Sequence, residues 1–489
     1  MATRVYIGAR YVPKFSDKNG GVWDNTYTYE ALEIVLHGQD YYTARVPVPV
    51  GVSITDTDYW VLTGNYNGAI ASLDARVLAL EEITSKITLA TVSDMIADAD
   101  LNAGDIVTVQ SYYATPAAGG GNYYIMAAGS AFDVALDNGL YARLLHDGSV
   151  TVEQFGARAD NVTDNTAKIQ AADDYCAATG ADLIFAGAGY YKCTGTINKS
   201  IYTLWSGTAS GTETNQSDNL RATLVYTGSG VFISIATSGG SNEYGEYSGI
   251  KNLRIQGEMP FNAGSIGISI SGPARQMVYE NLQIRFFNTG MYLTGGEHFM
   301  KNVIVWYCKY CVNTSGLADS IFENCLFGSG TNADPAVSGG FGFNGTNGRN
   351  LTFVSCRLQH AMAGNGGVFT GTTNIIFNGC VIDGNEQIGC QLVNCIGVSF
   401  VGCEFHDNDR HIYVLGTTAT HGVIIGDNVF INYTGVASTG IVLQIGAGGT
   451  VEDVTIHDNY FHQIATPLDK NAAITTNIKV HDNLGLADQ

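Results

Sequence analysis

Five carboxylates crowd two short stretches of this 489-residue chain: Asp383 and Glu386 in one, Glu404, Asp407 and Asp409 in the other. His406, Arg410 and His411 are interleaved with the second set, so acid, base and cation fall within a few residues. These residue types suit general acid–base work on a glycosidic bond. That chemistry needs two carboxyl groups about 5 Å apart for retention of configuration, or about 6.5–9.5 Å apart for inversion. They also suit elimination, in which a cation neutralises a uronate; Arg410 and Arg357 are candidates, and no calcium-loop pattern accompanies them. The competing reading is an ordinary solvated turn, because Asp and Asn are favoured at corners. Trp306, Tyr307 and Tyr310 offer aromatic faces on which a sugar ring can stack. The candidate catalytic set is therefore Asp383, Glu386, Glu404, Asp407 and Asp409. The candidate substrate-binding set is Trp306, Tyr307, Tyr310, His406, Arg410 and His411.

Other chemistries are poorly supported. Cys308 and Cys311 have metal-ligand spacing, but no second such pair or nearby His pair completes a tetrahedral site, so no metal and no cofactor is expected. The ten cysteines read as reduced, buried thiols. A net charge of −21 argues against a phosphate-neutralising surface and hence against nucleic acid. The first residues lack an apolar signal region, and no stretch approaches a membrane span, so neither export nor membrane insertion is expected.

A repeat must position the candidate residues. Phe322-Glu-Asn-Cys325-Leu-Phe327 recurs around Cys356, Cys380 and Cys403, then around Asn428, Asn459 and Asn483, in steps of 31, 24, 23, 25, 31 and 24 residues. A period near 24, with short β-branched and aromatic runs broken by Gly and Asn, predicts a β-solenoid in which the longer steps carry surface insertions. Apolar residues flank the Cys or Asn at −3 and +2, an odd separation that strict strand alternation cannot place on one face, so a corner must lie there. The Cys or Asn points inward, giving a thiol ladder that passes into an amide ladder; both are structural. Counted from the ladder, Asp383 and His406 share position +3 and Glu386 and Asp409 share +6, so each pair should stack one rung apart. Weaker turns at Ile250–Leu253, Asn281–Ile284 and Asn302–Val305 extend the shaft to about ten rungs. His457 and His481, two residues before their ladder Asn, should form an outward structural stack.

Upstream, residues 152–197 read as strand, helix, strand. Asp164 or Asn165 can cap a helix at about 165–179 whose Ile169, Ala172 and Cys176 share a face, and Gly180 ends it. Such a helix covers the open first rung. Phe155-Gly156-Ala157, Asp160, Thr163-Asp164, Thr166, Ile169-Gln170 and the Gly187/Gly189-Tyr190 turn resemble the opening of the pectate-lyase-like superfamily. The resemblance implies an all-β chain: a right-handed parallel β-helix, a single-stranded solenoid, preceded by small β-rich modules and a short helix. It does not choose the reaction, since polygalacturonases, lyases and phage tailspikes share the fold. No GHG or RIK element of the polygalacturonases occurs, and Asp173-Asp174 lies on the capping helix.

Residues 89–150 resemble the small β domain that precedes the shaft in phage tailspikes, with Gly119–Gly121 read as a turn. Within 66–88, positions 70, 73, 77, 80, 84 and 87 form a heptad seam, a coiled coil or an amphipathic helix packed on its own chain. Residues 1–65, rich in Trp and Tyr, read as a compact three-stranded module similar to chitin-binding-type modules and to N-terminal modules of tail fibres. Residues 151–489 form the shaft. The resemblance to tailspikes implies a homotrimer in the virion tail, made in the host bacterial cytoplasm. The first module would join phage tail or collar proteins, and the shaft would bind and depolymerise host cell-surface polysaccharide. A non-catalytic receptor-binding spike and a structural virion fibre are the alternatives. Six residues follow Asn483, which leaves the shaft, its loops and intersubunit grooves as the place of recognition.

Overall fold

The computed structural model describes residues 13–38, 40–65, 87–115, 117–208, 221–237, 248–329, 339–435 and 438–486. Most of the heptad seam, residues 66–86, lies outside the described residues. The chain forms two compact units, one built mainly on residues up to Ile87 and the other on most of the residues after it.

The first unit holds a sheet of four strands rather than three: Lys14–Phe15, Glu33–His37, Asp40–Ala44 and Trp60–Asn65. The added strand is only two residues long and runs parallel to Glu33–His37, too short to leave an alternating pattern in sequence. Tyr29, Val35, Ala44, Val48, Ile54 and Trp60 make its core.

Strands Ile87–Thr91, Ile106–Ser111, Gly119–Met126, Val134–Ala135 and Tyr141–Leu145 build a five-stranded sheet. Gly119–Gly121 opens a strand here and is not a turn. A Cβ on Gly119 would strike the Glu153 backbone, and one on Gly120 the Gln110 carbonyl, so these glycines permit a close backbone approach.

From Ser149 onward the second unit forms a parallel solenoid. One sheet has thirteen strands and two have eleven, and each strand pairs in register with its counterpart one rung on. Three strands, Ser149–Thr151, Asp182–Phe185 and Leu204–Gly207, precede the region where the repeat is legible; the remaining ten strands of that sheet begin at Gly249. The helix Thr166–Thr179 buries Ile169, Ala172 and Cys176, and Gly180 ends it in the left-handed region. Asn165 is the N-cap residue, but its side chain accepts from the Arg158 N–H; Asp164 accepts the Thr166 N–H instead. Asp173 is buried and accepts from Ser200 N–H (2.7 Å) and Trp205 Nε1–H (2.6 Å), tying helix to coil.

The corner between the first and second solenoid sheets explains the repeat. The residue before each ladder position, Asn324, Ser355, Gly379, Gly402, Asp427, Asp458 and Asp482, has φ between 51° and 62°. Gly, Asn and Asp recur there because they tolerate the left-handed region at least cost. Asn252, Asn281 and Asn302 occupy that same position upstream, which puts Leu253, Leu282 and Val303 on the inner ladder. The ladder thus runs from aliphatic to thiol to amide. Asn428 Oδ1 accepts the Cys403 N–H (2.8 Å), and Asn459 Oδ1 accepts both the N–H and Nδ2–H of Asn428 (3.0 Å each). Behind the ladder, Phe322, Phe353, Phe377 and Phe400 stack face to face at 4.7, 4.8 and 4.6 Å. Each ring buried this way stabilises the fold by about 1.5–3 kcal/mol.

Candidate functional site

The second solenoid sheet positions the carboxylates. Its strands Val381–Asp383 and Glu404–His406 are three residues long, so only Ile382 and Phe405 face the core. Asp383 and His406 point outward in direct register on adjacent rungs. The chain then turns through left-handed Gly384 and Asp407, and Asn385 and Asn408 point inward. Asn385 donates to Asn408 Oδ1 from both its N–H (3.1 Å) and Nδ2–H (2.9 Å), and Asn408 Nδ2 donates to the Ile382 carbonyl (2.9 Å). This second amide pair pins the corner and therefore the acids on either side of it.

Asp383 Oδ1 lies 2.8 Å from His406 Nδ1, and Asp383 Oδ2 lies 3.8 Å from His360 Nε2. His406 Nε2 lies 3.7 Å from Glu404. The hydrogen bond to Asp383, reinforced by the charges of Glu404 and Asp407, raises the His406 pKa above its ordinary value despite partial burial. Asp407 Oδ1 accepts the N–H groups of Tyr433 (2.7 Å) and Thr434 (3.0 Å), which hold its carboxylate in place. One ligand atom each from Asp383, His406 and Asp407 lie within 4.8 Å of one another, close enough to hold a cation. Glu386, Asp407 and Asp409 line a cavity of about 380 Å³ on the same corner, with Asn385 and Asn408 at its floor.

The candidate residues thus fall into separate places. Asp383, Glu404, His406 and Asp407 form one contact group; Glu386 and Asp409 line the adjoining cavity but do not stack as expected, because the third sheet pairs Ile388 with Arg410 and sets them one residue out of register. Trp306 and Tyr307 line a second cavity of about 280 Å³ on the same sheet. Tyr310 begins a strand of the third sheet and stacks on Phe341 at 5.3 Å. Arg410 is exposed, 3.9 Å from Asp409 and over the Tyr413 ring. His411 is a correction: it is fully buried between Phe405 and Phe430, and burial pushes its pKa down to about 3. It packs the core and cannot touch a substrate, because the strand Arg410–Gly416 turns it inward one residue after Arg410.

Two residues escaped the sequence reading. His360 stands four residues after ladder Cys356, the position that Asp407 holds after Cys403, so the register could have found it. Tyr433 follows the strand Val429–Ile431 within one of the longer repeat steps, and its ring lies 6.1 Å from His406. No repeat marks it.

Residues 289–438 match the family model described as right handed beta helix region. A search of the curated proteins finds no matching sequence. Among solved structures, the chain is similar to the tailspike protein gp49 from Acinetobacter baumannii bacteriophage Fri1, a capsular polysaccharide depolymerase. That likeness has a TM-score of 0.57 at 16% identity and covers 83% of this chain and 76% of that one. The Acinetobacter phage vb_AbaP_AS12 gp42 tailspike gives 0.51 at 12% identity, covering 83% and 76%. The enzymatically active domain of bacteriophage CBA120 tailspike protein 2 gives 0.51 at 14% identity, covering 83% and 64%. The matched segment, the in-register parallel sheets and these likenesses together make the shaft a right-handed parallel β-helix, the fold that these tailspikes share.

Proposed function

We propose that the chain is a phage tailspike whose shaft binds host surface polysaccharide along the outer face of the second solenoid sheet and cuts it at the Asp383–His406–Asp407 corner. The observation that carries this reading is the registered Asp383–His406 pair beside Asp407, outward on one sheet with an aromatic platform on the same face. The shared fold with structures described as a capsular polysaccharide depolymerase and as tailspikes supports the substrate class. His406, whose pKa the hydrogen bond to Asp383 raises, donates a proton to the glycosidic oxygen through Nε2. Asp407, whose Oδ1 is fixed by the Tyr433 and Thr434 N–H groups, stabilises the positive charge that develops on the sugar as the glycosidic bond breaks; water then adds to that carbon and returns its proton to His406.

The remaining parts of the reading rest on surfaces. Ile321, Ile376 and Ile424 are exposed on alternate rungs of the thirteen-stranded sheet, in register through Thr352 and Ser399. A soluble monomer gains nothing from such an apolar column, and packing into a homotrimer covers it. Phe15, Val50 and Leu62 are exposed on residues 1–65, the module that joins the virion tail. Incubating the protein with a panel of purified capsular polysaccharides and O-antigens tests the function. New reducing ends support hydrolysis and unsaturated products support elimination. Binding with neither product leaves a receptor-binding spike and overturns the catalytic part.

A further inference from the structure

The outer column of the second sheet runs Gln256, Arg285, Trp306, Gly328, Gln359, Asp383, His406 in unbroken register. Gly328 is the irregular member. A Cβ there would collide with the Trp306 ring and the Gln359 carbonyl, so only glycine lets the indole lie over the next rung. The ring then reaches toward His360, 5.9 Å away and edge-on, at the border of the acid corner. Trp306 and Tyr307 wall the 280 Å³ cavity; Gln283 and Gln359 offer amides, and Arg285 offers a guanidinium oriented by Gln256 Oε1 at 3.0 and 2.7 Å. Among the described residues, no carboxylate is in that lining. The cavity at the acid corner is the reverse: Glu386, Asp407 and Asp409 line it, and no Lys or Arg among the described residues does.

We infer that these two cavities read the charge pattern of one glycan: a carboxylate-bearing pyranose stacks on Trp306 beside Arg285, and an uncharged residue occupies the acid corner. The inference rests on the function proposed above and adds its substrate class. Three rungs, about 14 Å, separate Trp306 from Asp383. An extended glycan advances by about one rung per residue and the indole leans one rung towards the acid corner, so the acidic sugar sits about two to three residues from the cleaved bond. A carboxylate placed among Glu386, Asp407 and Asp409 would be repelled, which fixes the register of a repeating polymer on the shaft. An apolar ring face with a few oriented polar groups at its edge is what a pyranose requires.

Saturation-transfer NMR on the full chain, with D-glucuronic acid and D-glucose as probes, tests this directly. Glucuronic acid is expected to bind more tightly than glucose, and to weaken roughly fivefold in both Trp306→Ala and Arg285→Met. Trp306→Phe keeps part of the platform and should fall between, while His481→Ala, outside both cavities, should leave glucuronic acid binding unchanged. Equal binding of the two sugars, or binding indifferent to Trp306→Ala, overturns the inference. A protein that binds glucuronic acid in this way but cuts no polysaccharide overturns the cleavage reading alone. A protein that cuts polysaccharide but binds both sugars alike overturns the charge register alone.

Discussion

The two corners that bracket the second solenoid sheet are built from the same parts and differ in how strictly they repeat. At the first corner, the ladder from Leu253 through Cys325 and Cys403 to Asn483 keeps one geometry on every rung: a left-handed residue, then an inward side chain. At the second corner, the inward position changes from Phe287 and Cys308 to Asn385 and Asn408, and the left-handed residues Phe286, Tyr307, His360, Gly384 and Asp407 skip the rung of Gly328, where Ser329 is not left-handed. Uniformity marks the corner that holds the rungs together. Variation marks the corner where acids, an imidazole and aromatics meet solvent. In a solenoid each rung touches only its neighbours, so one corner can diversify without disturbing the other.

The largest expected effect is on chemistry at the variable corner. His406→Gln should lower polysaccharide cleavage by about 10²–10⁴-fold, the range for loss of a general acid, while leaving the melting temperature within a few degrees. Loss of both activity and folding would erase the distinction between the corners. At the uniform corner, Asn428→Ala removes the acceptor for Cys403 N–H and the donor to the Phe400 carbonyl. Denaturant unfolding should show a loss of about 3 kcal/mol, because buried partners are left unsatisfied. Cys380→Ala should cost less, about 1 kcal/mol, since the thiol packs as a small hydrophobe and its pKa is pushed up to about 12, with Cys356 as the first cause. All ten thiols are buried, so a thiol reagent should leave the native protein unmodified.

Buried and outward-facing histidines should also respond oppositely to pH. Burial pushes His411 down to about 3 and His298 to about 4, so both stay neutral in the fold. Their unfolded counterparts take up protons near pH 6.5. Stability from these two residues is therefore complete above about 6.5 and falls as the pH drops towards their folded values. His406 has the reverse sign, because Asp383 raises its pKa. Its contribution is full below the ordinary histidine value and is lost as pH rises through the raised one. Melting curves against pH for the wild type and Asp383→Asn separate the two: the variant should lose only the alkaline-side dependence.

The smallest effect is expected at His481. It stacks on His457 at 5.7 Å and pairs with Asp482, on a half-exposed surface. His481→Ala should change stability by no more than about 0.5 kcal/mol.

Much of this was legible in the chain. The parallel β-helix follows from a period that the Cys and Asn residues display openly, because stacking rungs impose one residue type at one corner. The stacking of Asp383 on His406 followed from counting along that register. The first three strands of the longest sheet were less visible, since Ser149–Thr151, Asp182–Phe185 and Leu204–Gly207 precede any ladder residue of Cys or Asn type. His411 was misread because its alternation inward depends on where the strand Arg410–Gly416 begins, which sequence places only within a few residues. Gly328 was invisible as a site residue. Its role comes from a ring on the preceding rung, a contact across more than twenty residues of chain.

One paired measurement tests the division of labour most directly: melting temperature and reducing-end release, side by side, for Asn428→Ala and Asp407→Asn. Asn428→Ala should lower the melting temperature and leave the specific activity of the folded protein intact. Asp407→Asn should keep the melting temperature and abolish release. Undiminished release from Asp407→Asn, on a polysaccharide the wild type cuts, would contradict the placement of the chemistry at the variable corner.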